Sequence, residues 1–265
     1  MKIIDFHTHV YPEKIAQKAT ENVIGFYGLA EGLGGLVGTS EVLINSGKKA
    51  GIENFVILPV ALKAETVRHV NEAALNEVRL HPEFFGFGTI HIEMDDILGE
   101  IDFIKNSNLK GVKIHPDTQR FNIDDERLFP MYEAISGKLP IMIHCGDPRY
   151  DYSHPRRLRH VLDNFPNLTA IGAHLGGWML FDEALELLKP TNCFVDICSS
   201  RMFVEKGKME KYINAYGADR VLFGSDFPIW DPQKEAEAFL ELDISYTDKE
   251  KIAHKNALYL LKENL

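Results

Sequence analysis

Cysteine is scarce in this chain, and what there is forms no pattern. Cys145, Cys193 and Cys198 make no CxxC pair and are odd in number. That excludes a disulfide framework and a thiolate zinc knuckle, and leaves three small buried groups of a reducing compartment. Positive charge is short as well: 29 Lys and Arg against 39 Asp and Glu give a formal net charge of −10, which argues against phosphate-driven binding of nucleic acid. No run of about 18 consecutive apolar residues occurs, so no membrane span is expected. The first residues lack a basic region followed by a long apolar run, so no signal peptide is expected either. Pro/Ser/Gly linkers and low-complexity blocks are missing, and the 265 residues are read as one domain large enough to fold without a staple. The expectation is a soluble cytoplasmic protein with a small-molecule partner, no nucleic acid and no membrane; a homo-oligomer is left open.

Short apolar, β-branched runs recur along the chain. Strands are expected over 3–6, 55–60, 84–90, 111–114, 140–143, 169–173, 193–197 and 220–223. Between them lie stretches such as "ETVRHVNEAALNEVRLH" and "RRLRHVLDNF", whose apolar residues recur at steps of three and four, the period of an amphipathic helix. Eight strands alternating with helices predict a (β/α)8 TIM barrel, of the α/β class, over residues 1–265; a doubly wound open sheet is the fallback. "DKEKIAHKNALYLLKEN" reads as a closing helix on the outside of the barrel. The interval between the first two strands holds Gly28, Gly32, Gly34, Gly35 and Gly38 and reads as an extended loop. A mobile flap over the barrel mouth is expected from Gly25 to Gly38; "GLGG" lacks the strand and the Lys-Ser/Thr end of a phosphate loop.

Barrel enzymes draw their active sites from the C-terminal ends of the strands. The first strand ends in "HTH", His7 and His9; the fifth ends in His144, the sixth in His174 and the eighth in Asp226. Residues two apart on a strand share a face, so His7 and His9 can point inward together. A lone histidine at a strand end is usually polar surface. Four imidazoles and a carboxylate on four matching strand ends are a donor set for a borderline divalent ion, zinc first, with manganese or another divalent ion as the alternative.

The motifs "IDFHTH", "IHCGDP", "AHLGG", "LFGSDFP" and "HKNALYLL" resemble the amidohydrolase superfamily along nearly the whole chain. The resemblance is to the branch that contains aminocarboxymuconate-semialdehyde decarboxylase and related hydrolases. It implies a barrel with one catalytic divalent ion, His7, His9, His144 and Asp226 as ligands, and His174 beside the metal, the water or the substrate. TatD-type deoxyribonucleases carry an acidic middle-strand motif where this chain has "GVKIHPD", and histidinol-phosphatase-like barrels use more acids and histidines; neither fits as well. Some amidohydrolases bridge two metals with a carboxylated lysine on the fourth strand. Lys113 lies there, but its ordinary reading is a salt-bridged or snorkelling lysine, and one metal is expected.

The leading expectation is a metal-dependent hydrolase, in which a metal-activated water attacks a small amide, ester or lactone. Asp226 moves the proton and His174 polarises the carbonyl. The alternative is nonoxidative decarboxylation of a small carboxylic acid, a carboxy-lyase reaction, and a third reading is a metal-binding barrel without catalysis. His115, Arg149, Trp178 and Trp230 are candidate substrate contacts. Each has a plain counterpart: a loop hydrogen bond for His115, an ion pair with Asp147 or Asp151 for Arg149, and packing on the local helix for the tryptophans. Asp196 is expected to orient a ligand histidine or to cap a turn. His91 is a weaker contact, and His69, His81, His160 and His254 are given no role. Arg149, Lys113, His115 and Arg201 could meet a carboxylate, but none sits in a motif matching a known clamp, and this weights the expectation toward hydrolysis.

Overall fold

A computed structural model describes residues 1–29, 35–205 and 207–263. Eight parallel strands stand side by side in chain order: β1 (Ile3–Thr8), β2 (Ile52–Ile57), β3 (Phe84–Thr89), β4 (Leu109–Ile114), β5 (Ile141–Ile143), β6 (Ala170–Gly172), β7 (Phe194–Asp196) and β8 (Val221–Leu222). All eight expected strands are present. The ring closes where Phe6 donates its N–H to the Phe223 carbonyl at 2.9 Å and Thr8 bridges Phe227. Glycine is required at this seam, because a Cβ on Gly224 would lie 2.8 Å from His7 Cβ. The architecture is the expected (β/α)8 barrel, with strands buried on both faces.

Alternation sorts each strand. Val112, Ile114, Ile141, Ile143, Val195 and Val221 pack outward among the helices, while Ile4, Phe6, Val56, Phe87, Met142, Ile171 and Leu222 fill the interior. β1 breaks the alternation. Asp5 pairs with Phe55 and Thr8 with Ile57, so three steps on β1 face two on β2. This is a bulge, and it lets His7 follow Phe6 onto the inner side. The closing segment differs from expectation. A helix (Tyr246–Glu250), a π-helical turn (Lys251–Lys255) and a last helix (Asn256–Leu261) succeed one another. Ala257, Leu260 and Leu261 of the last helix join the interior cluster. They seal the base of the barrel rather than lying along its outside, since the inner side chains there need an apolar cover.

The interval after β1 also differs. It contains α1 (Glu13–Phe26) and α2 (Ser40–Lys49), and α3 (Val67–Leu80) follows β2. α1 has helix-forming residues and the Ala16/Thr20/Val23 spacing of a helix face; the glycines come at its end, where Gly28 takes φ 63°. Only Ala16 and Thr20 of α1 are buried, and the helix lies across the mouth. Residues 30–34 of the expected flap lie outside the described residues; beyond them Leu36 donates its N–H to the Pro228 carbonyl and Gly38 packs beside Tyr11. Among the described residues no helix is long and apolar enough to cross a membrane.

Candidate metal centre

Three strand-end side chains converge at the mouth. His7 Nε2 lies 3.6 Å and His9 Nε2 3.4 Å from Asp226 Oδ1, and the three form one group whose ligand atoms all lie within 4.8 Å of each other. The other nitrogen of each ring decides what these atoms are. His7 Nδ1 donates to Asp196 Oδ2 at 2.8 Å, and His9 Nδ1 donates to the Leu58 carbonyl at 2.7 Å. Both partners only accept, so each Nε2 carries a lone pair. With both rings neutral, two imidazole lone pairs and a carboxylate oxygen face one another, and Lys113 Nζ also donates to His7 Nε2. A cation reconciles that arrangement, and two nitrogens with one oxygen suit a divalent transition ion. The residues therefore fit the expected metal, and Asp196 fixes the His7 ring through Nδ1.

Electrostatics hold the set in its metal-ready state. Burial pushes Asp226 up, but His7, His9 and His174 around it outweigh that and leave its pKa well below the usual range. Burial likewise raises Asp196, but the charge and hydrogen bond of His7 bring it down to about 2. His7 is lowered to about 4, by burial first and then by Lys113. Lys113 is fully buried, and its Nζ donates to His7 Nε2 at 3.3 Å.

His144 stands apart from the trio. It groups with His115 and Asp117, stacks on His115 with ring centroids 3.9 Å apart, and receives His174 Nε2 on its Nδ1 at 3.0 Å. His174 in turn stacks on His7 at 5.2 Å and links the two groups. Burial lowers the pKa of both His115 and His144 well below the ordinary histidine value. The glycine of "HCGDP" is needed here, because Gly146 has φ 77° and a Cβ on it would lie 2.3 Å from Trp178 N.

A cavity of about 830 Å³ opens above the trio, lined by His7, His9, His115, His144, His174 and Asp226 and walled mainly by aliphatic and aromatic side chains. Three expected contacts lie elsewhere. Arg149 grips buried Asp147 through Nε and Nη2 and donates to the Phe26 carbonyl, so it is the ion pair rather than a substrate clamp. Trp178 and Trp230 are buried and line a narrow niche behind the trio. There Trp230 Nε1 donates to Ser199 Oγ at 2.7 Å, and Ser199 donates to Asp226 Oδ2. Arg201 pairs with Glu235. Residues that were not expected line the cavity instead: Tyr11, Tyr27, Asp117 and Arg120, with Tyr27 Oη 2.7 Å from His115 Nε2. Asp117 and Ser199 follow the ends of β4 and β7, a signal that could have found them; Tyr27 follows a helix and had none.

The amidohydrolase family model matches residues 4–262. No curated protein matches the chain. Among solved structures, an uncharacterized TIM-barrel protein from Bordetella bronchiseptica is similar at 22% identity over 99% of each chain, with a TM-score of 0.84. 5-Carboxyvanillate decarboxylase from Sphingomonas paucimobilis is similar at 16% identity over 99% of each chain, TM-score 0.76. A dihydroxybenzoic acid decarboxylase from Polaromonas, with bound manganese and 2-nitroresorcinol, is similar at 16% identity over 98% of this chain and 97% of that one, TM-score 0.75. At these identities the likeness is one of fold.

Proposed function

The chain belongs to the amidohydrolase family, and from that premise we propose that it is a metal-dependent carboxy-lyase releasing carbon dioxide from a small carboxylic acid. The fate of the main-chain N–H groups at the mouth carries this reading. Those of His7, His9, His115, His144, His174 and Asp226 are all donated inside the protein, to Asp5, Phe227, Gln119, Ile114, Asp196 and His7 in turn. A hydrolase relying on main-chain donors at a developing oxyanion would find none free at these six positions. The apolar walls instead strip water from an entering carboxylate, which favours its departure as neutral carbon dioxide. The weight moves from the hydrolysis expected from sequence to the alternative, and the similarity in fold to decarboxylases is consistent with that.

The net reaction is R–CO2⁻ + H⁺ → R–H + CO2. The bond from the carboxyl carbon breaks, its electron pair stays on the neighbouring carbon, and a proton arrives there. Asp226 is the relay for that proton. Oδ1 faces His7 and His9 while Ser199 donates to Oδ2, so Oδ2 is the oxygen that would carry the proton and pass it to the carbanionic carbon, with Ser199 turning its hydroxyl to release it. His174, fixed between His7 and His144, orients the carboxylate. His7, His9 and Asp226 would hold a divalent ion, manganese or zinc, which when bound would supply Lewis-acid polarisation of the substrate oxygens.

Hydrolysis of an amide, ester or lactone is the second reading. One observation favours it: Asp226 is ionised at rest, as a base for water must be. The test incubates manganese-loaded protein with a panel of lactones, amides and aromatic or dienoic acids, following carbon dioxide release and ¹⁸O uptake from labelled water together. Carbon dioxide without ¹⁸O in the organic product supports the carboxy-lyase; ¹⁸O uptake without carbon dioxide overturns it.

A further inference from the structure

The cavity is larger than its floor requires. Its volume of about 830 Å³ lies near the top of the roughly 300–1,000 Å³ range of ligand pockets. It is one continuous space from the metal trio outward between α1 and α3. α1 contributes Ile15, Ala19 and Val23, and α3 contributes Val70, Ala73 and Glu77. Steps of three and four residues put each set on one helix face. Ile15 is 53% exposed, so among the described residues nothing covers that end of the row. From Val70 to Glu77 the wall runs about 10 Å along the helix axis. It ends in a carboxylate that accepts a hydrogen bond from Ser40 at 2.6 Å. An acid of a single ring would fill the floor and leave water against most of these apolar walls.

We propose that the substrate is an elongated amphiphilic acid, with its carboxylate at the floor and an alkyl or aryl-alkyl tail laid between α1 and α3. The head-group half of this rests on the carboxy-lyase reading; the tail half rests on the groove alone. Ala19 and Ala73 face the groove with the smallest side chains in it and leave room for the chain. Glu77 sets the far limit, since an apolar terminus gains nothing beside a carboxylate.

The test is calorimetric titration of the manganese-loaded, full-length chain with straight-chain carboxylates from acetate to decanoate and with the matching 1-alkanols. Affinity for the acids is expected to rise roughly fourfold per methylene, the equivalent of about 0.8 kcal/mol per buried CH2, and to level off once the tail spans the groove. Ala73→Trp and, from the opposite wall, Ala19→Phe are expected to collapse the ratio of octanoate to butanoate affinity. A flat series in the wild type overturns the proposal, as does an undiminished ratio in both folded variants. Alkanols that match the acids chain for chain leave the groove standing and overturn the carboxylate at the floor, and with it the carboxy-lyase reading.

Discussion

Asp196→Asn isolates the orientation of His7. Asp196 is fully buried. Its Oδ1 accepts the main-chain N–H of His174 at 2.9 Å and of Cys198 at 3.2 Å, and its Oδ2 accepts His7 Nδ1 at 2.8 Å. An asparagine must keep its oxygen toward the two main-chain donors, so its amide nitrogen faces His7 Nδ1. Two donors cannot face each other, and His7 has to move its proton to Nε2, the atom that holds the ion. Loss of an outer partner typically costs 10–100-fold in metal affinity, and a reversed tautomer belongs at the upper end, about 2.7 kcal/mol for 100-fold. Manganese affinity, measured by competition with a fluorescent chelator on protein whose circular dichroism is unchanged, is expected to fall by that range. Affinity within twofold of wild type would refute the tautomer argument.

Other positions make separate claims. Ser199→Ala releases Asp226 Oδ2, and a hydrogen bond to a charged group worth about 1.5–3 kcal/mol predicts a kcat loss of roughly 10–100-fold with little change in KM; an unaltered kcat would remove Ser199 from the relay. Burial pushes Asp5 up to about 7, while its Oδ2 has no hydrogen-bond partner among the described residues. A carboxyl with a raised folded pKa contributes stability below its unfolded value and loses it as pH rises through 7, so Asp5→Asn should gain on wild type by up to about 4 kcal/mol between pH 4 and 8. Urea denaturation at both pH values checks this, and parallel profiles would contradict it. Arg149→Ala strands buried Asp147, and because Arg149 is itself 39% exposed the loss should be roughly 1–3 kcal/mol of stability, below the 3–5 of a fully buried pair; a weakened KM at unchanged melting temperature would restore the clamp.

Much of this was legible in the sequence, because strands and strand ends obey simple rules. Eight apolar runs marked the barrel, and the rule that chemistry sits at strand C-termini picked out His7, His9, His144, His174 and Asp226, all of which line one cavity. Long-range geometry was not legible. The bulge that turns His7 inward depends on pairing with β2. His144 faces His115 and Asp117 because of neighbours from other strands. Glycines at the end of α1 drew attention from the helix preceding them, and nothing local told the last helix to cover the barrel's base. Arg149, Trp178 and Trp230 sit beside the right motifs, yet Arg149 pairs with Asp147 and the two tryptophans line the niche behind the trio.

The central claim is that the lone pairs of His7, His9 and Asp226 converge to hold a divalent ion. Equilibrium dialysis of the full chain and its His9→Ala variant against manganese or zinc, read by elemental analysis, tests it most directly. The account predicts one ion per wild-type chain and a large loss of binding in the variant. No ion on the wild type, or equal occupancy in the two proteins, would contradict it.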